Sequence, residues 1–465
     1  MQYHKSAGIS RREFVSDAIA GAVLARATRI SPYDTRRPNV LFILADDLGF
    51  GDLSCFGRPD YDTPNLDRLA RQGIRFTNAY SASPVCTPTR CAFITGRYPA
   101  RTLVGLQEPL GWKKNLGDKA ISLGLSPDHP TIASLLKKNS YETALIGKWH
   151  LGYLPAFGPI QSGFDEFFGV MSGGVDYFTH KDGAGEPDLF EDKVPVERIG
   201  YITDLLTERA IKYLSRRHSR PFYLSLHYTA PHWPWEAPGD RHIGDKPEGV
   251  AGFTAGGSLK TYAAMIKSLD DGIGQVMRAL GKAKLDRETL VIFTSDNGGE
   301  RFSYNWPFTG QKGELHEGGI RVPAMVRWLG VIPPNCSTDQ VAITMDWTTT
   351  ILAAAETKPD PNYPLDGRDL LPICKGERAP YGRKLFWRHA RQNAIRDGKW
   401  KYLNDGMKEY LFNLAIDQRE QADFKGQNPD LLRQLQVEFQ TWHAQVLSRP
   451  VSVGKRGGIA AAPAS

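Results

Sequence analysis

Cys86 heads the segment Cys86-Thr87-Pro88-Thr89-Arg90, whose residue types and spacing suit chemistry on an anion. Proline is favoured in the first turn of a helix, so Pro88 predicts a helix that begins at Cys86. The free N–H groups and the dipole of a helix start attract an anion, and Arg90, four residues on, projects from the same face. The residues alone leave two interpretations open: an anion-processing nucleophile, or a buried structural cysteine.

Two acidic pairs, Asp46-Asp47 and Asp296-Asn297, offer oxygen ligands to a cation. Three carboxylates and one amide form a hard oxygen cage that suits Ca²⁺ or Mg²⁺ and does not suit zinc. Each pair alone also fits a simpler interpretation, because Asp-Asp after a strand often caps a helix and Asp-Asn-Gly often forms a turn. Taken together, the two pairs predict a metal site.

Four short apolar runs precede most of these polar residues, and each indicates a strand buried on both faces of a parallel sheet. The runs are 40–45, before Asp46; 143–146, before Lys148 and His150; 222–226, upstream of His232; and 290–294, before Asp296. Ligands bind beyond the carboxyl ends of such strands, so we expect one pocket to collect all four ends. An apolar repeat at helical spacing over 266–280 predicts a helix before the last of these strands, and this alternation of strand and helix is typical of an α/β fold.

Three stretches around Cys86 resemble the signature of type I sulfatases: 63–70 (Thr-Pro-Asn-Leu-Asp-Arg-Leu-Ala), 84–90 (Pro-Val-Cys-Thr-Pro-Thr-Arg) and 95–97 (Thr-Gly-Arg). This family, which includes arylsulfatases and N-acetylgalactosamine-6-sulfatases, belongs to the alkaline phosphatase superfamily. The resemblance implies that a formylglycine-generating enzyme oxidises Cys86 to Cα-formylglycine. Thr89 and Cys91 depart from the family, which has serine and alanine more often at these positions. We expect neither to prevent maturation, and we interpret Cys91 as a core residue.

Further motifs are similar to the same family: 147–152 with Lys148 and His150, 230–234 with His232, and 310–313 with Lys312. Lys148 and His150 are two residues apart, so they share one side if the segment is extended. The nearby Glu317 and Arg321, four apart, are interpreted as structural. Trp233 and Trp235 are predicted to pack in the core, with stacking on a sugar ring as the alternative.

The resemblance also implies roles for these residues. The metal would be Ca²⁺, with Mg²⁺ as the alternative, held by Asp46, Asp47, Cys86, Asp296 and Asn297. Positive charge on Arg90, Lys148 and Lys312 would neutralise the sulfate group and the hydrated aldehyde. His232, together with Lys312, would protonate the leaving alcohol, and His150 would take the proton from the second hydroxyl of the hydrated formylglycine.

The predicted fold class is α/β: a large mixed, mostly parallel sheet flanked by helices, alkaline phosphatase-like, with a smaller C-terminal α+β subdomain that contains an antiparallel sheet. The predicted boundaries are 38–374 for the catalytic domain, 375–450 for the subdomain and 451–465 for a disordered Gly/Ala/Pro-rich tail. Three short segments, around 385–387, 400–403 and 410–412, predict the antiparallel sheet. An apolar stripe over 432–446 predicts a final helix docked against it.

The N-terminus carries a predicted export signal. Residues 10–15 (Ser-Arg-Arg-Glu-Phe-Val) resemble a twin-arginine motif, and an apolar run over 18–25 and a small-x-small cleavage site at 25–27 follow it. We therefore interpret 1–27 as a twin-arginine signal peptide, with a basic arm as the alternative, and expect a bacterial protein that is periplasmic or secreted. The chain has no apolar run of about 18 residues, so no membrane span is expected.

The composition narrows the possible partners. The formal net charge of +7 attracts anions, but the basic residues are scattered and no nucleic-acid-binding module is recognisable. Five irregularly spaced cysteines predict no disulfide framework. A sulfated small molecule or polysaccharide is the expected substrate, and the oligomeric state stays open. The competing hypotheses are a phosphate or phosphonate ester hydrolase of the same superfamily, and a non-catalytic binder of sulfated glycans.

Overall fold

The strands of the computed structural model, which describes residues 37–240 and 250–447, form one large sheet and two small ones. In chain order they are β1 (Asn39–Ala45), β2 (Ile74–Phe76), β3 (Ala79–Tyr80), β4 (Glu142–Gly147), β5 (Glu166–Val170), β6 (Leu189–Glu191), β7 (Val194–Pro195), β8 (Phe222–His227), β9 (Thr289–Ser295), β10 (Ala324–Arg327), β11 (Cys336–Thr338), β12 (Ala342–Ile343), β13 (Lys384–His389), β14 (Gln392–Asp397), β15 (Trp400–Asn404) and β16 (Glu409–Asn413). The large sheet has the order β11-β2-β10-β9-β1-β8-β4-β5-β6-β7.

Helices alternate with these strands. In chain order they are α1 (Pro64–Arg71), α2 (Cys86–Thr95), α3 (Lys113–Leu116), α4 (Ile132–Lys138), α5 (Ile202–Ser215), α6 (Val250–Thr254), α7 (Leu259–Lys282), α8 (Glu317–Ile320), α9 (Thr344–Ala354), α10 (Leu371–Cys374) and α11 (Pro429–Leu447). Short 3₁₀ turns lie at Ser54–Phe56, Pro99–Arg101, Val104–Leu106 and Gly117–Ile121. No helix among the described residues is long and apolar enough to cross a membrane.

The four apolar runs identified in the sequence form the centre of the large sheet. They are the adjacent strands β9, β1, β8 and β4, and all three pairs between them are parallel. Their carboxyl ends are level, because Leu44 is opposite both His227 and Thr294, and Gly147 is opposite His227. Antiparallel pairs occur further out, at β10, β6 and β7. The predicted mixed, mostly parallel sheet is confirmed.

Alternate side chains of β1 point into two hydrophobic cores, one on each face of the large sheet. Phe42 points into the core shared with α2, α4 and α9, where its ring stacks on Phe93 at a centroid distance of 3.8 Å. Ile43 points into the core shared with α5 and α7, which contribute Leu206 and Ile273. Both faces are covered by helices, so the central strands are largely apolar. The helix predicted over 266–280 is confirmed within α7.

The C-terminal sheet is an antiparallel meander of β13, β14, β15 and β16, with α11 packed on it. Leu435, Phe439 and Val446 of α11 are buried, and Trp442 stacks on Phe386 at 4.9 Å, which confirms the predicted apolar stripe. Three of the four strands were predicted. The prediction missed β14, because Gln392–Asp397 is mostly polar and lacks a recognisable apolar alternation.

The domain boundaries remain predictions. One compact unit begins at Pro38 and includes both the large sheet and the C-terminal sheet, so 38–374 and 375–450 describe parts of a common unit. The predicted signal peptide over 1–27 and the predicted tail over 451–465 lie outside the described residues.

Candidate active site

The acidic pairs that follow β1 and β9 meet at the level carboxyl ends of these neighbouring strands. The backbone N–H of Asp47 donates to Asp296 Oδ1 at 3.1 Å, and Asn297 Nδ2 donates to Asp47 Oδ1 at 2.7 Å. All four side chains, including that of Asp46, are buried. Asp47 has a φ of 63°, a left-handed conformation that aspartate tolerates better than most residues and that turns the chain sharply after β1.

Cys86 is the first residue of α2, as predicted. Val85 before it is extended, and every residue of α2 is buried. The Cys86 sulfur lies 3.6 Å from Asp46 Oδ1, so the helix start faces the acidic pairs. Cys91 belongs to the hydrophobic core, and its sulfur lies 3.1 Å from Thr102 Oγ1, which confirms its interpretation as a core residue.

Three cationic side chains pair with the carboxylates at this site. Lys148 Nζ donates to Asp46 Oδ2 at 2.6 Å. Lys312 Nζ donates to Asp47 Oδ2 at 2.6 Å. Arg90 is fully buried, and its Nη2 lies 2.8 Å from Asp296 Oδ2 and 3.4 Å from Asp46 Oδ1. The predicted cations are therefore brought together with the predicted metal ligands around Cys86.

The residues present fit a hard divalent cation. Oxygens of Asp46 and Asp47, the sulfur of Cys86 and a nitrogen of His232 all lie within 4.8 Å of one another. Asn297 Oδ1 is buried and accepts no hydrogen bond from the described residues, so it is an oxygen in need of a partner. Burial and the neighbouring Asp296 carboxylate raise the pKa of Asp46 to about 8. A cation at this position would bind the unpaired Asn297 oxygen and would lower the pKa of Asp46 again.

Two predicted histidines border the same pocket, and their hydrogen bonds assign different tautomers to them. His150 Nε2 donates to the Leu110 carbonyl at 2.9 Å, while its Nδ1 is buried and unpaired among the described residues. His232 Nδ1 donates to the Trp233 carbonyl at 2.5 Å, and its Nε2 lies 3.5 Å from Asp47 Oδ2. Burial and nearby lysines hold the pKa of each imidazole well below its usual value. Both rings are therefore neutral in this arrangement.

The route by which Lys148 and His150 reach the pocket differs from the prediction. The segment is not extended, because His150 has a φ of 57° and Gly147 a φ of 115°. A Cβ at Gly147 would lie 1.7 Å from the His227 carbonyl oxygen, so only glycine fits there. The condition of an extended segment is therefore not met, and this tight turn after β4 directs Lys148 towards Asp46.

Sequence reasoning gave no role to two residues of the pocket. His227 Nδ1 donates to the Lys148 carbonyl at 3.1 Å and lies 3.4 Å from Arg90 Nη1. Burial and the Arg90 charge lower its pKa to about 3. The Glu300 carboxylate lies 3.8 Å from Lys312 Nζ. The available signal was position, since His227 ends a central strand and Glu300 follows Asp296-Asn297 closely.

The sequence predicted structural roles for two residue pairs, and three of these four residues are buried as expected. Glu317 and Arg321 form a buried ion pair at 2.7 Å, as predicted. Trp235 is buried, with its ring against Phe302 at 4.9 Å. Trp233 is only half-buried and lies beside Lys312 Nζ, 5.3 Å from its ring centroid. The core prediction therefore holds for Trp235, whereas Trp233 borders the pocket.

The fold is α/β, and the pocket gathers buried cations and carboxylates of the kind that bind an anionic group. The sulfatase family pattern matches residues 38–357. Mouse N-acetylgalactosamine-6-sulfatase is 34% identical over 364 residues, which cover 73% of this chain and 67% of that protein. Human arylsulfatase A is 33% identical over 407 residues, 79% of this chain and 74% of that protein. The crystal structure of Ps i-CgsB in complex with k-i-k-neocarrahexaose matches with a TM-score of 0.79 at 32% identity, over 88% of this chain and 93% of that one. The chain belongs to the sulfatase family, and it is a sulfuric ester hydrolase.

Proposed function

We propose that this sulfatase releases inorganic sulfate from sulfated carbohydrates or aryl sulfates, with a formylglycine made from Cys86 as the nucleophile. The observation that carries the proposal is the position of the Cys86 sulfur. It lies 3.6 Å from Asp46 Oδ1 at the start of α2, in the pocket that also holds Lys148 and Arg90.

The ionisation of Cys86 supports a modified residue over a free thiol. Burial raises the pKa of the Cys86 thiol, and the charges of Lys148 and Lys312 do not outweigh that effect. The neutral thiol therefore persists at neutral pH, and a thiol is a far weaker nucleophile than a thiolate. At the same position the pocket offers polar partners to hydroxyl groups, among them Asp46 and Lys148. We propose a formylglycine-generating enzyme as the maturation partner.

For the metal we propose Ca²⁺, which the family resemblance favours, with Mg²⁺ as the alternative. Asp46, Asp47, Asp296 and Asn297 would hold it, with residue 86 as a further ligand, and the unpaired Asn297 Oδ1 supports this assignment. A bound cation would polarise the oxygens of the sulfate group and of the nucleophile.

The charge balance of the pocket supports an anionic substrate. Three carboxylates face three cationic side chains: Asp46, Asp47 and Asp296 against Arg90, Lys148 and Lys312. With a cation bound, which favours the ionised form of Asp46, these protein charges cancel. A divalent cation leaves the pocket positive, and a sulfate ester, which carries one negative charge, brings the balance back towards zero. Burial strengthens these interactions, because a dry site screens charge poorly.

The two histidines lie at different places in the pocket, and we propose a different proton-transfer role for each. A hydrated formylglycine would supply two hydroxyls, one to attack the sulfur and one whose deprotonation expels sulfate. His150 presents the unpaired Nδ1 to the pocket, so it can accept a proton there. His232 presents Nε2 beside Asp47 and Lys312, and in the neutral ring this nitrogen carries no proton. We propose that Nε2 first takes up a proton and then, together with the Lys312 ammonium group, delivers it to the leaving alcohol.

Two other functions remain in competition, and kinetics separates them from the proposal. A phosphate or phosphonate ester hydrolase would process the matching phosphate ester faster than the sulfate ester under the same conditions. A non-catalytic binder of sulfated glycans would retain affinity without releasing sulfate. The two buried histidines favour an enzyme, since a binder has no use for groups that transfer protons.

The similar proteins support a substrate class, and the N-terminal sequence supports a location. Similarity to a protein named N-acetylgalactosamine-6-sulfatase, and to a structure in complex with k-i-k-neocarrahexaose, supports a sulfated glycan substrate. The twin-arginine pattern over 10–15 supports export to the periplasm or the medium. Delivery of the folded chain to the periplasmic fraction, and its loss when Arg11 and Arg12 are replaced by lysine, would test that location.

The decisive experiment compares two cysteines of one helix. Cys86→Ala should abolish sulfate release from 4-nitrophenyl sulfate and from a sulfated sugar. Cys91→Ala, the matched control on α2, should keep the activity because Cys91 faces the core. Mass spectrometry of the tryptic peptide should show the formylglycine mass at position 86 in the wild type. Activity that persists in Cys86→Ala, or a free thiol at residue 86 in fully active enzyme, would contradict the proposal.

A further inference from the structure

A row of aromatic rings runs from the active site to the protein surface. The ring of His232 contacts that of Trp233 at a centroid distance of 4.1 Å, Trp233 contacts Phe253 at 6.1 Å, and Phe253 contacts Trp112 at 6.2 Å. Phe253 is buried, whereas Trp233 and Trp112 are half-buried. The row therefore presents two indole surfaces, one beside the pocket and one two ring contacts further out.

Glycines of a single loop hold both indoles close to the backbone. A Cβ at Gly183 would lie 2.0 Å from the Trp112 ring, and a Cβ at Gly174 would lie 3.2 Å from the Trp233 ring. Any larger residue at Gly183 would displace the indole. Because each ring is packed against the loop on one side, its exposed surface is presented in a fixed orientation on the other side.

The segment that carries Trp112 is tied to the catalytic residues. The backbone N–H of Leu110 donates to Thr87 Oγ1 at 3.1 Å, one residue beyond Cys86. The carbonyl of Leu110 accepts the hydrogen bond from His150 Nε2 at 2.9 Å. Trp112 follows two residues later, so its position relative to the pocket is set by bonds to the site itself.

The surroundings of Trp112 are polar and carry positive charge. Lys113 and Lys114 follow it directly and are exposed. Lys114 pairs with Glu186 at 3.3 Å, while Lys113 Nζ contacts only the Leu154 carbonyl among the described residues. A flat apolar ring face with an exposed ammonium group beside it suits a sugar ring of a sulfated chain better than a purely apolar alcohol.

We infer that Trp112 binds the sugar residue next to the one that carries the reacting sulfate, so that the preferred substrate is a sulfated oligosaccharide or polysaccharide. The inference rests on the proposed sulfatase activity and adds a second sugar-binding position to it. Trp233, which contacts His232, is placed for a ring attached directly to the sulfate. Trp112 lies two ring contacts further out, beyond Phe253, so it is placed for a further ring of the substrate. The apolar C–H face of that sugar packs on the indole face.

The test measures sulfate release by wild type, Trp112→Ala and Trp328→Ala. Trp328 is also half-buried, but it follows β10, which runs antiparallel to β9, so it lies at the end of the strands opposite the pocket. The probes are 4-nitrophenyl sulfate, N-acetylgalactosamine 6-sulfate, estrone sulfate, and hexasaccharides of the carrageenan and chondroitin sulfate types. For the better hexasaccharide, Trp112→Ala should raise KM about tenfold, since an aromatic contact contributes on the order of one factor of ten in affinity. Its kinetics on the two single-ring sulfates should stay within about twofold of wild type.

The outcomes separate this inference from the function on which it rests. No sulfate from any probe, with formylglycine present at residue 86, would refute the sulfatase proposal itself. Two results would refute only the second sugar position, provided that the enzyme hydrolyses 4-nitrophenyl sulfate. One is that neither hexasaccharide is preferred, and the other is that Trp112→Ala leaves KM unchanged. Equal losses on all probes, or a loss confined to estrone sulfate, would also refute it. Thermal unfolding of both tryptophan variants checks that the fold is retained, and Trp112→Phe should recover part of the affinity.

Discussion

Replacement of Lys401 by methionine should destabilise the protein strongly, although Lys401 lies in the C-terminal sheet and outside the pocket. Its ammonium group is fully buried between two carboxylates, 2.9 Å from Glu317 and 2.7 Å from Glu420. Methionine keeps the apolar stem and removes the charge, which leaves two buried carboxylates with fewer counterions. Removal of one partner of a buried ion pair destabilises by about 3–5 kcal/mol, because the remaining charge stays desolvated.

The structure supplies a matched control for this variant. Lys384 forms an ion pair with Glu438 at 2.6 Å, but the two side chains are 38% and 26% exposed. Ion pairs of that exposure contribute about 0.2–1 kcal/mol, so Lys384→Met should be almost neutral. The assay is urea unfolding followed by tryptophan fluorescence, with the midpoints of the two variants compared with wild type. Similar midpoints for Lys401→Met and Lys384→Met would refute the reasoning, because they would show that burial does not govern the effect.

The same variant links stability to the active site. Glu317 begins α8, five residues after Lys312, and Gln392 of the C-terminal sheet donates to the Gly313 carbonyl at 2.8 Å. The C-terminal sheet thus holds the loop that presents Lys312 to Asp47. We expect folded Lys401→Met at 25 °C to lose kcat/KM on 4-nitrophenyl sulfate as well, whereas Lys384→Met keeps it. Full activity of Lys401→Met below its unfolding midpoint would show that this loop is positioned without the C-terminal sheet.

Three further predictions test the site and the buried charges. Asp296→Asn should weaken calcium binding by about tenfold or more, measured by calorimetry, with exposed Asp271→Asn as the control; unchanged affinity would remove Asp296 from the ligand set. His232→Ala should lower kcat/KM by about 10²–10⁴ for a sugar sulfate and by less for 4-nitrophenyl sulfate, whose leaving group needs little protonation; equal losses would argue against an acid role. Burial and the nearby Glu317 raise the pKa of Glu420 to about 7, although Lys401 opposes them. The stability that protonated Glu420 contributes is therefore complete below the ordinary pKa of a glutamate, and it is lost as the pH rises through about 7. Glu420→Gln should therefore gain stability relative to wild type as the pH rises through that range, and a constant difference between the two unfolding free energies would contradict this.

The centre of the fold could be predicted because each strand carries its own signal. The runs 40–45 and 290–294 are almost entirely apolar and are followed by acidic residues. Because the two strands are parallel and end level, those acidic residues come together. Likewise Pro88 was enough to place Cys86 at a helix start. These predictions used only the residues within one element and the general rule for where parallel strands end.

The parts that the sequence left open depend on contacts between distant segments. The turn that directs Lys148 is set by the approach of Gly147 to the His227 carbonyl, which no local pattern reveals. The row from Trp233 to Trp112 joins segments more than a hundred residues apart, and the intervening Phe253 comes from a third segment. The polar strand β14 was missed for the same reason, because its partners β13 and β15 hold it in the sheet.

Substitutions of the charged residues in the pocket and of the aromatic residues at its rim have different effects on folding and on activity. Lys148 and Arg90 neutralise buried carboxylates, so they support the fold as well as the chemistry, and their loss leaves Asp46 and Asp296 unpaired. A drop in activity after such a substitution therefore mixes two effects. Trp112 is half-buried and forms no ion pair, so its replacement changes what the pocket recognises with far less effect on folding. Substrate preference can accordingly be altered at the rim while the charged pocket, and the reaction it performs, stays intact.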